Sequence, residues 1–403
     1  MESFIITNVT VYTEEDFYKQ GFVKVEDGII TKTGHNDELT EEIINGAKII
    51  TLTPDLALIP GMIDIHIHGV DGVDTMDATP EALHTMAKAL PREGTTSFLA
   101  TTITQSEEEI EKALQNVANY MGMSKKADVA EVVGIHLEGP FISKKRAGAQ
   151  PNRYIKAPDL TLFMKWQELS GGNIKVVTLA PEEENGLEFI HHLSQTGVVA
   201  SIGHSNATYE EVDHAINAGA SHVTHLFNGM SGLHHREPGV VGAALLREEL
   251  KVEMIVDGIH IRPEIVKHTY RSKTSESILL ITDSMRAKCL KAGQYELGGQ
   301  KVIVTRDRAT LEDGTLAGSI LKMGTALQNF QKYTGCRLEE LVKITSMNPA
   351  KSLNIFDRKG SITEGKDADF VILDSNLNIM MTYCRGHLVY KRGEMDECNS
   401  CEE

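Results

Sequence analysis

Ile63-Asp64-Ile65-His66-Ile67-His68-Gly69 is the stretch on which the fold turns. Two histidines lie two residues apart inside an apolar run, with Pro60-Gly61 before it and Gly69 after it. In a β-strand, residues i and i+2 point to the same side. His66 and His68 would therefore project together from the end of one strand. Imidazole is the commonest protein metal ligand, and glycine and proline at the borders punctuate the strand.

Working outward, residues 57–356 alternate strand and helix. Eight apolar strand candidates follow one another: Met62–Ile67, Thr95–Ala100, Val132–Leu137, Ile174–Leu179, Val198–Gly203, His222–Leu226, Val252–Val256 and Ile278–Thr282. Amphipathic segments lie between most of them, among them Pro80–Leu90, Glu107–Tyr120, Leu187–Thr196 and Tyr209–Ala218. Strands alternating with helices predict parallel βαβ units. Eight units at about 30-residue spacing predict an α/β fold, a (β/α)8 TIM-like barrel. Lys288–Thr315 breaks the rhythm, and its Gly298-Gly299 and Asp313-Gly314 pairs read as an inserted hairpin.

Both chain ends read as β. Phe4–Tyr12 and Gly21–Ile30 are strand-like, with Asp27-Gly28 a hairpin signal, and Phe370–Leu373 and Leu388–Arg392 close the chain. Neither end alone has enough strand for a stable sheet. Residues 1–56 and 357–403 are expected to form one small discontinuous β-sandwich domain, leaving 57–356 as the barrel. A chain of 403 residues suits one large domain with a smaller one.

The composition is globular, with 41% hydrophobic and 24% charged residues. A net charge of −17 argues against a general nucleic-acid binder, which needs a basic footprint. It also means that an anionic substrate needs a locally basic pocket. Met1-Glu2-Ser3-Phe4 does not begin a signal peptide, and no apolar run reaches the roughly 18 residues of a membrane span. Five sparse cysteines fit a reducing compartment, so a cytoplasmic location is expected. Cys398 and Cys401 form a C-x-x-C in a polar tail and read as two thiols without a structural partner.

Polar residues recur where the strands end. The first strand ends on His66 and His68, the third on His136-Leu137-Glu138-Gly139-Pro140 and the fifth on Gly203-His204-Ser205. The sixth ends on Thr224-His225-Leu226-Phe227-Asn228 and the eighth on Thr282-Asp283-Ser284. In such a barrel the carboxyl ends of the strands converge on the catalytic face. His66, His68, Glu138, His204, His225 and Asp283 would meet there, a set suited to zinc or a similar divalent metal. Six groups exceed one tetrahedral site and suit two ions with Glu138 between them. A lone histidine is more often a hydrogen-bonded core or surface residue, and His35, His84, His191, His192, His214, His268 and His387 are read that way. The acidic runs Glu107–Glu111 and Glu182–Glu184 read as solvated helix faces. No nucleotide-binding glycine pattern follows a strand.

These motifs resemble the amidohydrolase superfamily: His-x-His on strand 1, histidines on strands 5 and 6, aspartate on strand 8, and the split β domain entered through Gly360–Asp369. Within it, a strand-3 glutamate and further stretches narrow the resemblance to the N-acetylglucosamine-6-phosphate deacetylases. Those stretches are His136–Phe141, Gly203–Ser205, Thr224–Met230, Arg236-Glu237-Pro238-Gly239, Asp257–His260 and Leu316–Ser319. The resemblance spans essentially the whole chain. It implies a metal-dependent hydrolase of a linear amide, acting in amino-sugar catabolism and cell-wall sugar recycling. One or two divalent ions, among zinc, iron, manganese and cobalt, would generate hydroxide.

Glu138, His204 and His225 match the main metal ligands, His66 and His68 those of a second metal, and Asp283 the proton shuttle. Ala149, Gln150, Asn228, Gly229, Arg236, His260, Leu316, Ala317 and Gly318 match substrate contacts. Some members carry histidine at the position of Gln150 and lack the strand-1 pair. Here a second metal would take over polarisation of the carbonyl. The resemblance also implies a homodimer in which Arg236 reaches the partner's site. Two rival readings stand beside it: another hydrolase of this barrel, acting on a cyclic amide or a nucleobase, and a non-catalytic scaffold.

Overall fold

The structure, a computed structural model, describes residues 3–123 and 128–394. All eight predicted strands are present, and they hydrogen-bond in sequence order. They run Met62–Ile67, Thr95–Thr101, Glu131–Glu138, Ile174–Leu179, Val199–Ile202, His222–Val223, Lys251–Ile255 and Ile278–Ile281. Every neighbouring pair along this sheet is parallel. The two ends of the sheet close without a ladder. The backbone N–H of Asp283 donates to the His66 carbonyl at 2.8 Å, and that of His68 to the Ser284 carbonyl at 2.9 Å. Asp64 adds a side-chain clamp by accepting from the His66 N–H at 3.2 Å and the Thr282 hydroxyl at 2.6 Å.

Helices cover the outside. Their starts follow capping chemistry: Thr208 and Glu211 form a reciprocal box ahead of Tyr209–Ala218, and Thr79 accepts from Ala82 ahead of Pro80–Ala89. The core of the barrel is continuous with that of the helices. Lys288–Thr315 is an insertion as expected: Gly293–Leu297 and Gln300–Val304 pair across Gly298-Gly299, and Ala309–Thr310 adds a third strand. Both turn glycines have positive φ, 58° and 75°, which a two-residue hairpin of this hand requires.

Strands from both chain ends form one connected sheet of eight. Its halves share a core in which Phe4, Ile6, Val23 and Val25 meet Leu58, Phe370, Ile372 and Tyr383. The strand Ala57–Pro60 belongs to this sheet, pairing with Thr10–Val11 on one side and Phe370–Leu373 on the other. Phe370 and Ile372 face the small core, whereas Val371 and Leu373 face the barrel core. That double burial explains the uninterrupted apolar run. No helix among the described residues is long and apolar enough to cross a membrane. Cys398 and Cys401 lie outside the described residues.

Candidate active site

Six side chains meet at the carboxyl ends of the strands. Glu138 is the hub. Its Oε1 lies 3.1 Å from Nε2 of both His204 and His225 and 3.5 Å from Nε2 of His66. Its Oε2 lies 3.3 Å from His68 Nε2. Asp283 Oδ1 sits opposite, 3.5 Å from His66 Nε2 and 3.2 Å from His68 Nε2. The donors fall into two sets, Glu138–His204–His225 and His66–His68–Asp283, and all are buried. Glu138 touches both sets, as the count of strand-end ligands suggests.

The donor chemistry fits a cation. His204 donates through Nδ1 to the Arg146 carbonyl at 2.9 Å, so in the neutral ring Nε2 is a bare lone pair. That lone pair faces His225 Nε2 at 3.2 Å and the Glu138 carboxylate. His66 donates through Nδ1 to Glu253 at 3.0 Å and turns its own Nε2 toward two carboxylates. Lone pairs converging in this way repel unless a positive charge lies between them. A tetrahedral ion with bonds of about 2.0–2.1 Å has ligand atoms about 3.3 Å apart, and the contacts here span 3.1–3.5 Å.

Titration behaviour reports the same field. Burial lowers the pKa of His66, but Asp283, Glu138 and Glu253 overcome it and raise it to about 9. His68 is raised well above its ordinary value, where hydrogen bonds to Asp283 and Glu138 outweigh burial. Burial raises Asp283, yet His66 and His68 pull it down to about 2.

A cavity of about 200 Å³ opens over this floor. Of the predicted substrate contacts, Ala149, Gln150, Asn228, Gly229, His260, Leu316 and Gly318 line it. Ala317 does not; it packs beneath, in the core of the inserted sheet. Arg236 does not reach it either. The backbones of His234 and Glu237 bond to each other in both directions, closing a turn that leaves Arg236 exposed at its tip. Gln150 donates to Glu138 Oε2 at 2.7 Å and accepts from the Thr104 N–H at 2.8 Å, so it orients the hub carboxylate. His260 is set by Asp257, which takes its Nδ1 proton at 2.6 Å and leaves Nε2 for the cavity. A larger cavity, about 590 Å³, lies at the amino-terminal ends of the third and fourth strands, away from every candidate ion-binding group.

Two acids went unread in the sequence. Glu253 and Asp64 are fully buried, the first against His66 and the second across the barrel seam. The available signal was a single acid inside an apolar strand, because acids are buried only when paired. Glu182 corrects an expectation. Residues 182–184 form a turn, not a solvated helix face, and Glu182 accepts from Ser205 Oγ at 2.7 Å and the Asn206 N–H at 2.5 Å, bracing the loop after His204. Glu107–Glu111 does lie on a helix, where Glu111 takes the Trp166 indole N–H.

The model of the amidohydrolase family matches residues 57–389. The chain is 49% identical to the N-acetylglucosamine-6-phosphate deacetylase of Bacillus subtilis strain 168, covering 98% of this chain and 99% of that protein. It is 37% identical to the crystal structure of the Thermotoga maritima N-acetylglucosamine-6-phosphate deacetylase, with a TM-score of 0.86, covering 96% of this chain and 99% of that one. A third likeness is to a variant of the Mycobacterium smegmatis enzyme in complex with N-acetyl-D-glucosamine-6-phosphate. There the identity is 28% and the TM-score 0.89, over 97% of this chain and all of that one.

Proposed function

The chain belongs to the amidohydrolase family, and from that premise we propose that it hydrolyses the acetamide of N-acetylglucosamine 6-phosphate to glucosamine 6-phosphate and acetate. The observation that carries the reading is Glu138 between two imidazole sets, with Asp283 facing it across the cavity floor. Glu138, His204 and His225 would hold one divalent ion, and His66 and His68 a second beside Asp283. Zinc, iron, manganese and cobalt all suit this imidazole and carboxylate set. When bound, such an ion supplies a water that ionises near neutral pH and polarises the acyl oxygen.

The remaining steps fall to the chain. Asp283 accepts the proton of the attacking water on its carboxylate and returns it to the sugar nitrogen as the C–N bond breaks. Gln150 keeps Glu138 in register. Ala149, Asn228, Gly229, His260, Leu316 and Gly318 orient the sugar over the floor, with Ala317 supporting the last segment from below.

The phosphate is the unsolved charge. Among the described residues no lysine or arginine lines the cavity. Arg236 stands exposed on its turn, three residues after the 59% exposed Leu233. An exposed arginine close to an exposed leucine supports a homodimer in which Arg236 serves the partner's cavity, with bidentate geometry suited to phosphate oxygens, and the sparse cysteines support a cytoplasmic location for it. The division of the chain near 57 and 357 into a discontinuous β unit and a barrel belongs to the same reading, with Ala57–Pro60, which pairs in the sheet of the chain ends, on the β side.

Acetate release from N-acetylglucosamine 6-phosphate, from the unphosphorylated sugar and from cyclic amides and nucleobases tests it. Only the phosphorylated sugar should turn over well, and chelation should abolish that activity until a divalent metal is restored. Turnover of a cyclic amide or nucleobase with no acetate from the phosphosugar would overturn the reading.

A further inference from the structure

The seventh strand contributes no ligand, yet it holds the least expected side chain of the barrel. Glu253 lies in Lys251–Ile255 among apolar neighbours and is fully buried. Its Oε2 takes the Nδ1 proton of His66 at 3.0 Å and the backbone N–H of His225 at 3.4 Å. Its Oε1 has no hydrogen-bond partner. A buried carboxylate is costly unless its charge is used.

We infer that Glu253 is a positioning residue: it locks His66 in the tautomer whose Nε2 lone pair faces Glu138 and Asp283, and so sets the affinity of the strand-1 half of the site for its ion. The inference deepens the two-ion reading above and rests on it.

The geometry separates this role from its alternatives. His66, His136 and Glu253 bring ligand atoms together, and so could themselves resemble an ion site. Both nitrogens of His136 are already engaged, however. Nδ1 donates to the Ile65 carbonyl at 2.9 Å and Nε2 accepts from the Thr178 hydroxyl at 2.7 Å. His136 instead packs edge-on against His66, with ring centroids 4.5 Å apart. His66 is therefore held by a neighbouring ring and a carboxylate together. The other half of the site is braced differently. His204 donates to a neutral carbonyl, that of Arg146. A carboxylate partner raises the basicity of the imidazole it orients, and losing such a partner typically costs about 10–100-fold in metal affinity. That loss should fall on one ion, because among the six groups Glu253 bonds the imidazole of His66 alone; at His225 it accepts only the backbone N–H, at 3.4 Å, which the amide oxygen of a glutamine can still accept.

The test titrates metal-stripped wild-type chain and Glu253→Gln with Zn²⁺ against a chromophoric chelator and follows thermal unfolding of both metal-free forms. Wild type should take up two ions. Glu253→Gln should keep one at wild-type affinity and bind the other about 10–100-fold more weakly. Long-range ¹⁵N–¹H spectra of histidine-labelled, Zn²⁺-loaded chain should show His66 carrying its single proton on Nδ1 in wild type and altered in the variant. If Glu253→Gln fails to fold, Glu253→Asp, which keeps the charge with a shorter reach, should show the same selective weakening. Two ions at unchanged affinities in the variant would overturn the inference and leave the two-ion reading standing. Equal weakening of both ions would overturn it too, marking a merely structural role. A wild-type chain that never binds a second ion would overturn the two-ion reading together with the inference.

Discussion

His204, His225 and Asp283 have positive φ, at 46°, 32° and 47°. Residues other than glycine take such angles rarely, at a cost of about 1–3 kcal/mol each, and they persist only when the surroundings hold them. Here the holders are visible. Asp283 donates its N–H to the His66 carbonyl at 2.8 Å, and its carbonyl accepts from the Ser319 N–H at 2.7 Å. The His204 carbonyl accepts from the Ser143 N–H at 2.9 Å. Each strand thus ends on an abrupt turn that swings its last polar side chain over the barrel mouth. Asp283→Asn keeps the shape of this arrangement but cannot accept and return a proton. Its kcat should fall by about 10²–10⁴, while the ion at Glu138, His204 and His225 is retained by elemental analysis. A near-normal kcat would remove Asp283 from the proton path.

His222, three residues before a ligand, shows the opposite use of histidine. Burial, assisted by Lys251, lowers its pKa to about 3, and its nitrogens meet Ser221 Oγ at 2.8 Å and Ser352 Oγ at 2.9 Å. The unfolded chain binds this proton near pH 6.5 and the folded chain does not, so stability is full above that pH. It is lost as pH falls toward 3, at up to about 1.4 kcal/mol per pH unit. Urea midpoints of metal-free protein from pH 7 to 4 should fall less steeply in His222→Gln than in wild type. Identical slopes would contradict the assignment.

Among the elements, the barrel strands are tied inside by a chain of hydroxyls. Ser201 donates to Thr224 at 2.6 Å, Thr224 to Thr178 at 2.7 Å, and Thr178 to His136 at 2.7 Å, in the one direction that leaves His136 Nδ1 donating to Ile65. It crosses from the fifth strand to the first and supports His66 from below. Gly203 lies against it, and a Cβ there would come within 2.7 Å of both Thr178 Cγ2 and Thr224 Cβ. Gly203→Ala should therefore cost about 1–3 kcal/mol, as overpacking does, and lower the thermal midpoint. An unchanged midpoint would show that the threonines yield freely. The elements themselves were legible in the sequence, because period, capping residues and glycine turns are local signals. The turn at Glu182 was not, because its reason to exist is Ser205 and Asn206, more than twenty residues away.

For the whole molecule, the sheet of the chain ends is locked to the barrel by buried charge. Lys359 lies within 3.0 Å of both Glu131 and Asp367 and bonds to Asp369, and Arg385 reaches Glu131 at 3.1 Å. The net charge of −17 and a cavity that no lysine or arginine lines among the described residues make Arg236 the cation to test. Removing a charge partner typically costs about 2–5 kcal/mol, with each 1.4 kcal/mol a factor of about ten. The phosphate is remote from the bond that breaks, so most of this loss should appear in KM. Arg236→Ala should weaken the phosphorylated substrate strongly and the unphosphorylated sugar little. Mixing Arg236→Ala with Asp283→Asn chains should restore activity, since one cavity then holds an intact Asp283 and a borrowed Arg236. No recovery after verified subunit exchange, or a strictly monomeric active enzyme, would rule out sharing.

The sequence by itself determined the eight strands, their parallel order, the inserted hairpin and the identity of the six converging groups. Each of these is written in local periodicity or in a polar residue at a strand end. Tertiary structure alone decided what surrounds them: Glu253 behind His66, Gln150 on Glu138, Asp64 across the seam, Ala317 turned into a core and Arg236 held away from its own cavity. The reason is distance along the chain. Glu253 and His66 are 187 residues apart, and Asp64 and Thr282 are 218 apart. A lone acid in an apolar strand marks a buried charge, but no window of sequence says which partner it meets. Such pairs exist only once the barrel has closed and a buried charge must find its partner.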